Sequence, residues 1–224
     1  MPQNVTKAVN AFLKRYPIRK CLVMATGIFF MGFFVSLLIE VDLGTDPFTF
    51  MNVILAERLG ISFGTWELIF NAALFIPVLI WGRKYIGPGT ILNMICIGYI
   101  ADLCRFIWSR TIPESWFKEL PGRGVIFALA VLGFVIAAAV YVNADAGLSP
   151  YDACPQLLHG PLKFIPFFLL RIVYDGAAVL VGMLCGSMPN IGHLFMVVLL
   201  GPAITLVGRL MKKGKKEDDG AKNP

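Results

Sequence analysis

Six apolar stretches, near 21–41, 64–82, 87–108, 124–143, 164–185 and 190–210, constrain this chain more than any other feature. Each holds roughly 19 to 22 residues, which at 1.5 Å per residue crosses about 30 Å of hydrocarbon as a helix. Inside hydrocarbon no water satisfies backbone N–H and C=O groups, so the stretches must bond internally as helices. The 224 residues are 57% hydrophobic and 15% charged, with a mean hydropathy of +0.73, too apolar for a water-soluble domain of this length. An all-α membrane protein with six transmembrane helices is expected. Lys14, Arg15, Arg19 and Lys20 precede the first stretch as they would in a signal peptide. No small-residue cleavage site follows and the run is too long, so it reads as a retained span.

The net charge of +6 invites a nucleic-acid reading, but the basic residues follow topology, not an aromatic-interleaved face. With the N-terminus inside, six crossings place Lys7, Lys14, Arg15, Arg19, Lys20, Arg83, Lys84, Lys163, Arg209 and the lysines after it on the inner side. Arg58, Arg105, Arg110, Lys118 and Arg123 fall outside, and Arg171 lies within a span. This bias predicts both termini in the cytoplasm, with no nucleic acid as partner. Cys21, Cys96, Cys104, Cys154 and Cys185 form no C-x-x-C pair and are odd in number, which argues against a disulfide framework. The tail from Lys212 has no apolar periodicity and is expected to be a disordered cytoplasmic segment.

The chain also repeats itself. DLGTDPF at 42–48 returns as DAGLSPY at 145–151, an offset of 103 that also pairs Leu55 with Leu158, Gly89 with Gly192 and Gly98 with Gly201. One compensated shift aligns Asn71 with Asp175 and Gly82 with Gly186. Two units follow, 21–108 and 124–210, joined by an outer loop at 109–123 and flanked by segments 1–20 and 211–224. Each unit has three crossings, an odd number, so the second must enter the membrane in the opposite sense. The expected fold is two inverted three-helix repeats, the plan of many secondary transporters, with the pathway where the repeats meet.

The repeated motif is a helix stop followed by a start. Gly44 and Gly147 permit the break, Asp46 and Ser149 can cap the next helix, and Pro47 and Pro150 suit its first turn. The helices that begin there run to about Leu59 and Leu158, roughly 10 to 13 residues, too short to cross. They either lie in the interface or dip into the membrane; dipping would bring a helix N-terminus to membrane depth. Asp42, Asp46, Asp145 and Asp152 speak against a simple anion trap and leave room for a proton or cation.

The repeated G-x-x-P-[FY], the short helix after it, and the openings G-T-I-L-N at 89–93 and G-H-L-F at 192–195 resemble the YczE and YitT group of bacterial multi-pass membrane proteins. The YczE branch is the nearer, because no soluble C-terminal domain follows the last span. The resemblance covers roughly 20–210 and implies a class and a cellular place; it carries no established activity.

A charge within a span costs about 2.5–3.5 kcal/mol on insertion scales, so each needs a partner or a role. Arg171 and Asp175 lie one turn apart on the fifth stretch, and the aligned residues on the second are Glu67 and Asn71. Such a pair can neutralise itself as packing between helices. It can equally line a solute path, and with the motif residues Gly44, Pro47, Gly147 and Pro150 these four form the expected substrate-binding set. Ala178, Gly182 and Gly186 continue that face at a small-x-x-x-small spacing, which predicts a close helix contact within the chain or between subunits of a homo-oligomer. Asp102 and Arg105 read as residues near the interface, and His193 as hydrogen-bonded. G-x-S-x-G, H-E-x-x-H and a P-loop lysine are missing, so no enzyme, cofactor or metal site is expected. Two functions remain. A small-solute transporter or channel requires a polar cavity between the halves, whereas an accessory protein that docks a partner requires a solid interior and an open small-residue groove.

Overall fold

The computed structural model of the chain describes residues 14–221. Among these residues the fold is all-helical: α1 (Ile18–Val41), α2 (Pro47–Leu59), α3 (Phe63–Trp81), α4 (Pro88–Thr111), α5 (Ser115–Lys118), α6 (Gly122–Asn143), α7 (Pro150–His159), α8 (Phe167–Leu184) and α9 (Ile191–Ala221). α1, α3, α4, α6, α8 and the Ile191–Lys213 part of α9 are long and apolar enough to cross a membrane. Their starts and stops lie within three residues of the six apolar stretches. At α8, expected from 164, the helix starts only at Phe167, because Pro166 occupies its N-cap and a proline keeps the preceding residue out of the helical region. Ile76, Leu103, Leu129 and Val173 are among many large apolar side chains exposed on these helices, an outward face suited to lipid rather than water.

The tail departs from expectation. α9 runs on to Ala221 through residues expected to be without structure. Lysine, glutamate and alanine are good helix formers, and extending an existing helix avoids the cost of nucleation. Residues 222–224 of that expected segment, and 1–13 of the N-terminal one, lie outside the described residues.

The core forms where α1 meets α6. Met24, Ile28, Met31, Val35 and Leu38 alternate three and four apart along α1 and join Ala130, Phe134, Ala137, Ala138 and Tyr141 of α6, the spacing of a helix–helix seam. The two helices run antiparallel. Gly27 faces Ala137 and Tyr141, Gly133 faces Phe34, and Arg123 donates to the carbonyls of Val41 and Asp42 at 2.7 and 2.8 Å. A Cβ at Gly27 would stand 2.9 Å from the Tyr141 amide, so only glycine allows this backbone approach. α4 flanks α1, and α9 flanks α6. Each short helix then crosses over: α2 packs on α8, and α7 on α3.

The motif loops behave alike, with one difference from expectation. The left-handed residue that ends each preceding helix is aspartate, Asp42 at φ 46° and Asp145 at φ 47°, a conformation aspartate tolerates better than most residues. Gly44 (φ 142°) and Gly147 (φ 109°) follow it and serve a second need. A Cβ on Gly44 would overlap Gly192, and one on Gly147 would overlap Gly87 and Thr90. Each loop thus lies against the opening of the last span of the other half.

The contacts define two faces. Lys20 and Asp145 approach to 3.7 Å, Leu148 N–H donates to the Tyr85 carbonyl at 2.9 Å, and Asn143 donates to Gly208 on one. On the other, Asn190 donates to the Asp42 carbonyl, Arg58 lies against Gly186 and Arg105 pairs with Glu40 at 2.8 Å.

Candidate functional site

Between the halves lies a cavity of about 260 Å³. All six long helices and both short ones contribute to its wall, from Met31 on α1 to Thr205 on α9. The short helices enter it N-terminus first. α2 is largely buried from Pro47 to Ala56 and exposed from Glu57 to Gly60; α7 is largely buried from Pro150 to Pro155 and exposed at Leu158 and Gly160. Tyr151, at the start of α7, donates to Asp175 Oδ1 at 2.7 Å, and Asp175 lies midway along α8. The N-terminal ends therefore reach the middle of the spans, which excludes a helix lying flat in the interface. The two helices meet head to head there, the Phe48 and Tyr151 rings 4.3 Å apart.

Local chemistry fixes each start. Asp46 Oδ1 accepts from Thr49 N–H at 3.1 Å and Ser149 Oγ accepts from Asp152 N–H at 3.0 Å. Each is an N-cap that satisfies one of the free amides of a first turn, and Pro47 and Pro150 lack the amide that would otherwise go unbonded. The helix ends facing the cavity are already supplied with acceptors of their own.

Arg171 organises one wall. Its Nε donates to Asp175 Oδ2 and one terminal nitrogen donates to Asp152 Oδ1, both at 2.8 Å. Ser149 Oγ donates to the second oxygen of Asp152 at 2.7 Å, and the guanidinium lies 5.4 Å from the Tyr151 ring centre. Arg171 and Asp175 do pair within one turn, as the sequence allows, but Asp152 from α7 completes a triad. That third member ties the short helix to α8, a partnership that the sequence reading of Asp152 as an acid open to a proton or cation does not anticipate.

The opposite wall is not paired. Glu67 is buried at 4% exposure, and its Oε2 has no hydrogen-bond partner among the described residues, nor has Asp46 Oδ2. Gly98 makes room for this carboxyl, since a Cβ there would collide with Glu67 Oε2. Four carboxyl groups, Asp46, Glu67, Asp152 and Asp175, thus face one guanidinium across the cavity. Such an arrangement favours a positively charged or donor-rich occupant and disfavours an anion.

Of the eight residues the sequence nominates, Pro47, Glu67, Arg171 and Asp175 line the cavity. Asn71, Gly44, Gly147 and Pro150 do not. Asn71 shares the face of Glu67 but stands one turn further along α3, beyond the cavity, where it is buried. The two glycines are taken up by the backbone crossings described above, and Pro150 is buried behind Tyr151. The sequence misses Tyr151, whose only signal is its place at a helix start; Asp46 and Asp152, read there as acids open to a proton or cation but not named in the substrate-binding set, line the cavity as well. Outside the cavity, Asp102 accepts from Gly64 N–H at 2.8 Å and caps α3. His193 accepts from Asn190 N–H at 3.2 Å and stacks 4.3 Å from Phe50. The small-residue face is filled from within: Gly182 faces Phe50 and Ile54, and Gly186 faces Arg58.

Two curated proteins of Bacillus subtilis (strain 168) are similar to this chain. The uncharacterized membrane protein YczE is 29% identical over 133 residues, 59% of this chain and 59% of its own length. The uncharacterized protein YyaS is 26% identical over 182 residues, 81% of this chain and 89% of its own. The matched region thus spans under two thirds of YczE and most of YyaS. No solved structure matches. Residues 18–209 match the model of DUF6198, described as a family of unknown function; that interval holds every span and both short helices, and the chain belongs to this family of YczE-like membrane proteins.

Proposed function

We propose that this protein is a transporter of a small solute across the bacterial cell membrane, built from two inverted repeats, with the cavity as its solute site. The observation that carries the reading is the meeting of two half-length helices, N-terminus to N-terminus, in a cavity midway along the spans whose wall holds four carboxyl groups and one guanidinium. Broken helices at the midplane of a bundle are how many secondary transporters hold their substrates. The inverted relation is supported by the antiparallel packing of α1 and α6, and by contacts that recur on exchanging the halves: α2 with α8 as α7 with α3, Gly44 with Gly192 as Gly147 with Gly87. A purely structural duplication would have no use for four carboxyl groups around an open space, each of which costs free energy to bury.

The accessory reading loses its docking surface, since Phe50 and Ile54 already fill the small-residue groove. The excess of positive charge supports a cytoplasmic position for the face bearing Lys20, Lys84, Lys163 and Arg209. Flux tests this. Proteoliposomes with the purified chain are expected to take up at least one small polar solute faster than protein-free vesicles, and that solute should raise the unfolding temperature of the detergent-solubilised protein. A panel of amines, amino acids, sugars and ions that gives neither result would refute it.

A further inference from the structure

We propose that Glu67 and Asp46 form the binding site for a small cation of single charge, either a free alkali ion or the ammonium group of the transported solute. This deepens the transporter reading and rests on the cavity being the solute site.

Glu67 and Asp46 are 4% and 8% exposed. Both residues line the cavity, and each has one buried carboxylate oxygen with no partner among the described residues; the hydroxyl of Tyr141, which also lines the cavity, is likewise unpartnered. Leaving such groups bare in a buried site costs several kcal/mol per charge, so a native chain keeps them for a ligand or a proton. Among the described residues that line the cavity, the one cationic side chain, Arg171, is engaged by Asp152 and Asp175. The further charges that bear on the two groups are Asp102 on α4, Asp152 on α7 and Asp175 on α8, all negative. Hard oxygen donors select alkali ions or N–H donors over soft metals. Among the described residues no group of three or more His, Cys, Asp or Glu gathers as a zinc-type site requires. Gly98, whose missing Cβ leaves space for Glu67 Oε2, and Asp46, anchored to Thr49 through its other oxygen, hold the pair in place.

The full chain in detergent at pH 7.5 tests the site, with ionic strength held constant by N-methyl-D-glucamine chloride. Replacing that salt stepwise by sodium, potassium or methylammonium chloride is expected to raise the unfolding temperature saturably for at least one of them. Response to sodium or potassium alone identifies a free ion; response to methylammonium alone identifies an ammonium headgroup. Glu67→Gln and Asp46→Asn, the second retaining the cap, are each expected to weaken apparent affinity at least tenfold. In N-methyl-D-glucamine alone, Glu67→Gln should unfold at a higher temperature than the parent, because a bare buried charge is gone. The proposal is overturned if none of the three cations acts, if the response survives both substitutions, or if acidification in N-methyl-D-glucamine alone reaches the same plateau, which makes a proton the occupant. Flux separates the two readings: solute uptake without any cation response sinks this site and leaves the transporter, whereas a cation response without uptake of any solute does the reverse.

Discussion

Arg171 donates to Asp152 and Asp175 at once, so Arg171→Met leaves two carboxylates facing each other with no counter-charge. Breaking a buried ion pair in this way costs about 3–5 kcal/mol, and the side-chain exposure of 25% at Arg171 and 35% at Asp152 moves the expectation to the low end, about 3 kcal/mol. Replacing Arg171 and Asp175 together does not restore the balance, because Asp152 keeps its charge. Adding Asp152→Asn and Asp175→Asn to Arg171→Met should recover most of the loss, and unfolding temperatures of the parent and these three variants would show it. Glycine at 98 and 201 gives a second contrast. These positions correspond at the sequence offset, yet a Cβ at Gly98 meets Glu67 and the Gly64 backbone, while at Gly201 nothing lies within 4 Å. Gly98→Ala is therefore expected to lower stability by about 1–3 kcal/mol through overpacking. Gly201→Ala should be neutral or stabilising by up to about 1 kcal/mol through helix propensity.

At the scale of the helix, the starts of α2 and α7 rest on one side-chain cap apiece. Ser149→Ala removes both the acceptor for Asp152 N–H and the donor to the Asp152 carboxylate. A loss of about 1–2 kcal/mol follows from the cap, together with a looser Asp152 beneath Arg171. Ser149→Asn should retain the capping part, and comparing their unfolding temperatures separates the cap from the carboxylate contact. These starts also mark where the sequence stops being legible. The six spans are readable because lipid demands apolar side chains over a fixed length, and Glu67, Arg171 and Asp175 stand out as charges within them. Asp46, Tyr151 and Asp152 sit outside any span, in a motif whose turn chemistry is the same whether the helix lies flat or dips. Only the crossing of α2 onto α8 and α7 onto α3 turns them into the cavity. Asn71 fails for the complementary reason. Periodicity assigns it the face of Glu67 but says nothing of depth, and one helical turn is enough to leave the cavity.

For the whole molecule, the antiparallel seam of α1 and α6 governs the sense of insertion. On the proposed inverted plan three crossings separate the start of α1 from the end of α4 and the two halves begin on opposite faces, a plan the loop contacts support. Gly82 and Tyr85, on either side of Lys84, lie against Leu157 and Leu148; Ser115 begins the short α5 between α4 and α6, whose Phe117 and Lys118 line a cleft of about 420 Å³ with Arg123 and Glu40. Placing the lysine-rich face inside gives an outcome that single-cysteine labelling can read in a background with the five native cysteines replaced. Ser115→Cys should react with a membrane-impermeant maleimide in intact cells, and Lys84→Cys only after permeabilisation. If both were reactive from outside, α3 and α4 would not cross as a hairpin and the odd count of spans per half would fail, taking the inverted relation with it. If the two were simply exchanged, the fold would stand and the cytoplasmic assignment of the termini would be reversed, so that solute would meet the Glu40–Arg105 cleft from the cytoplasm.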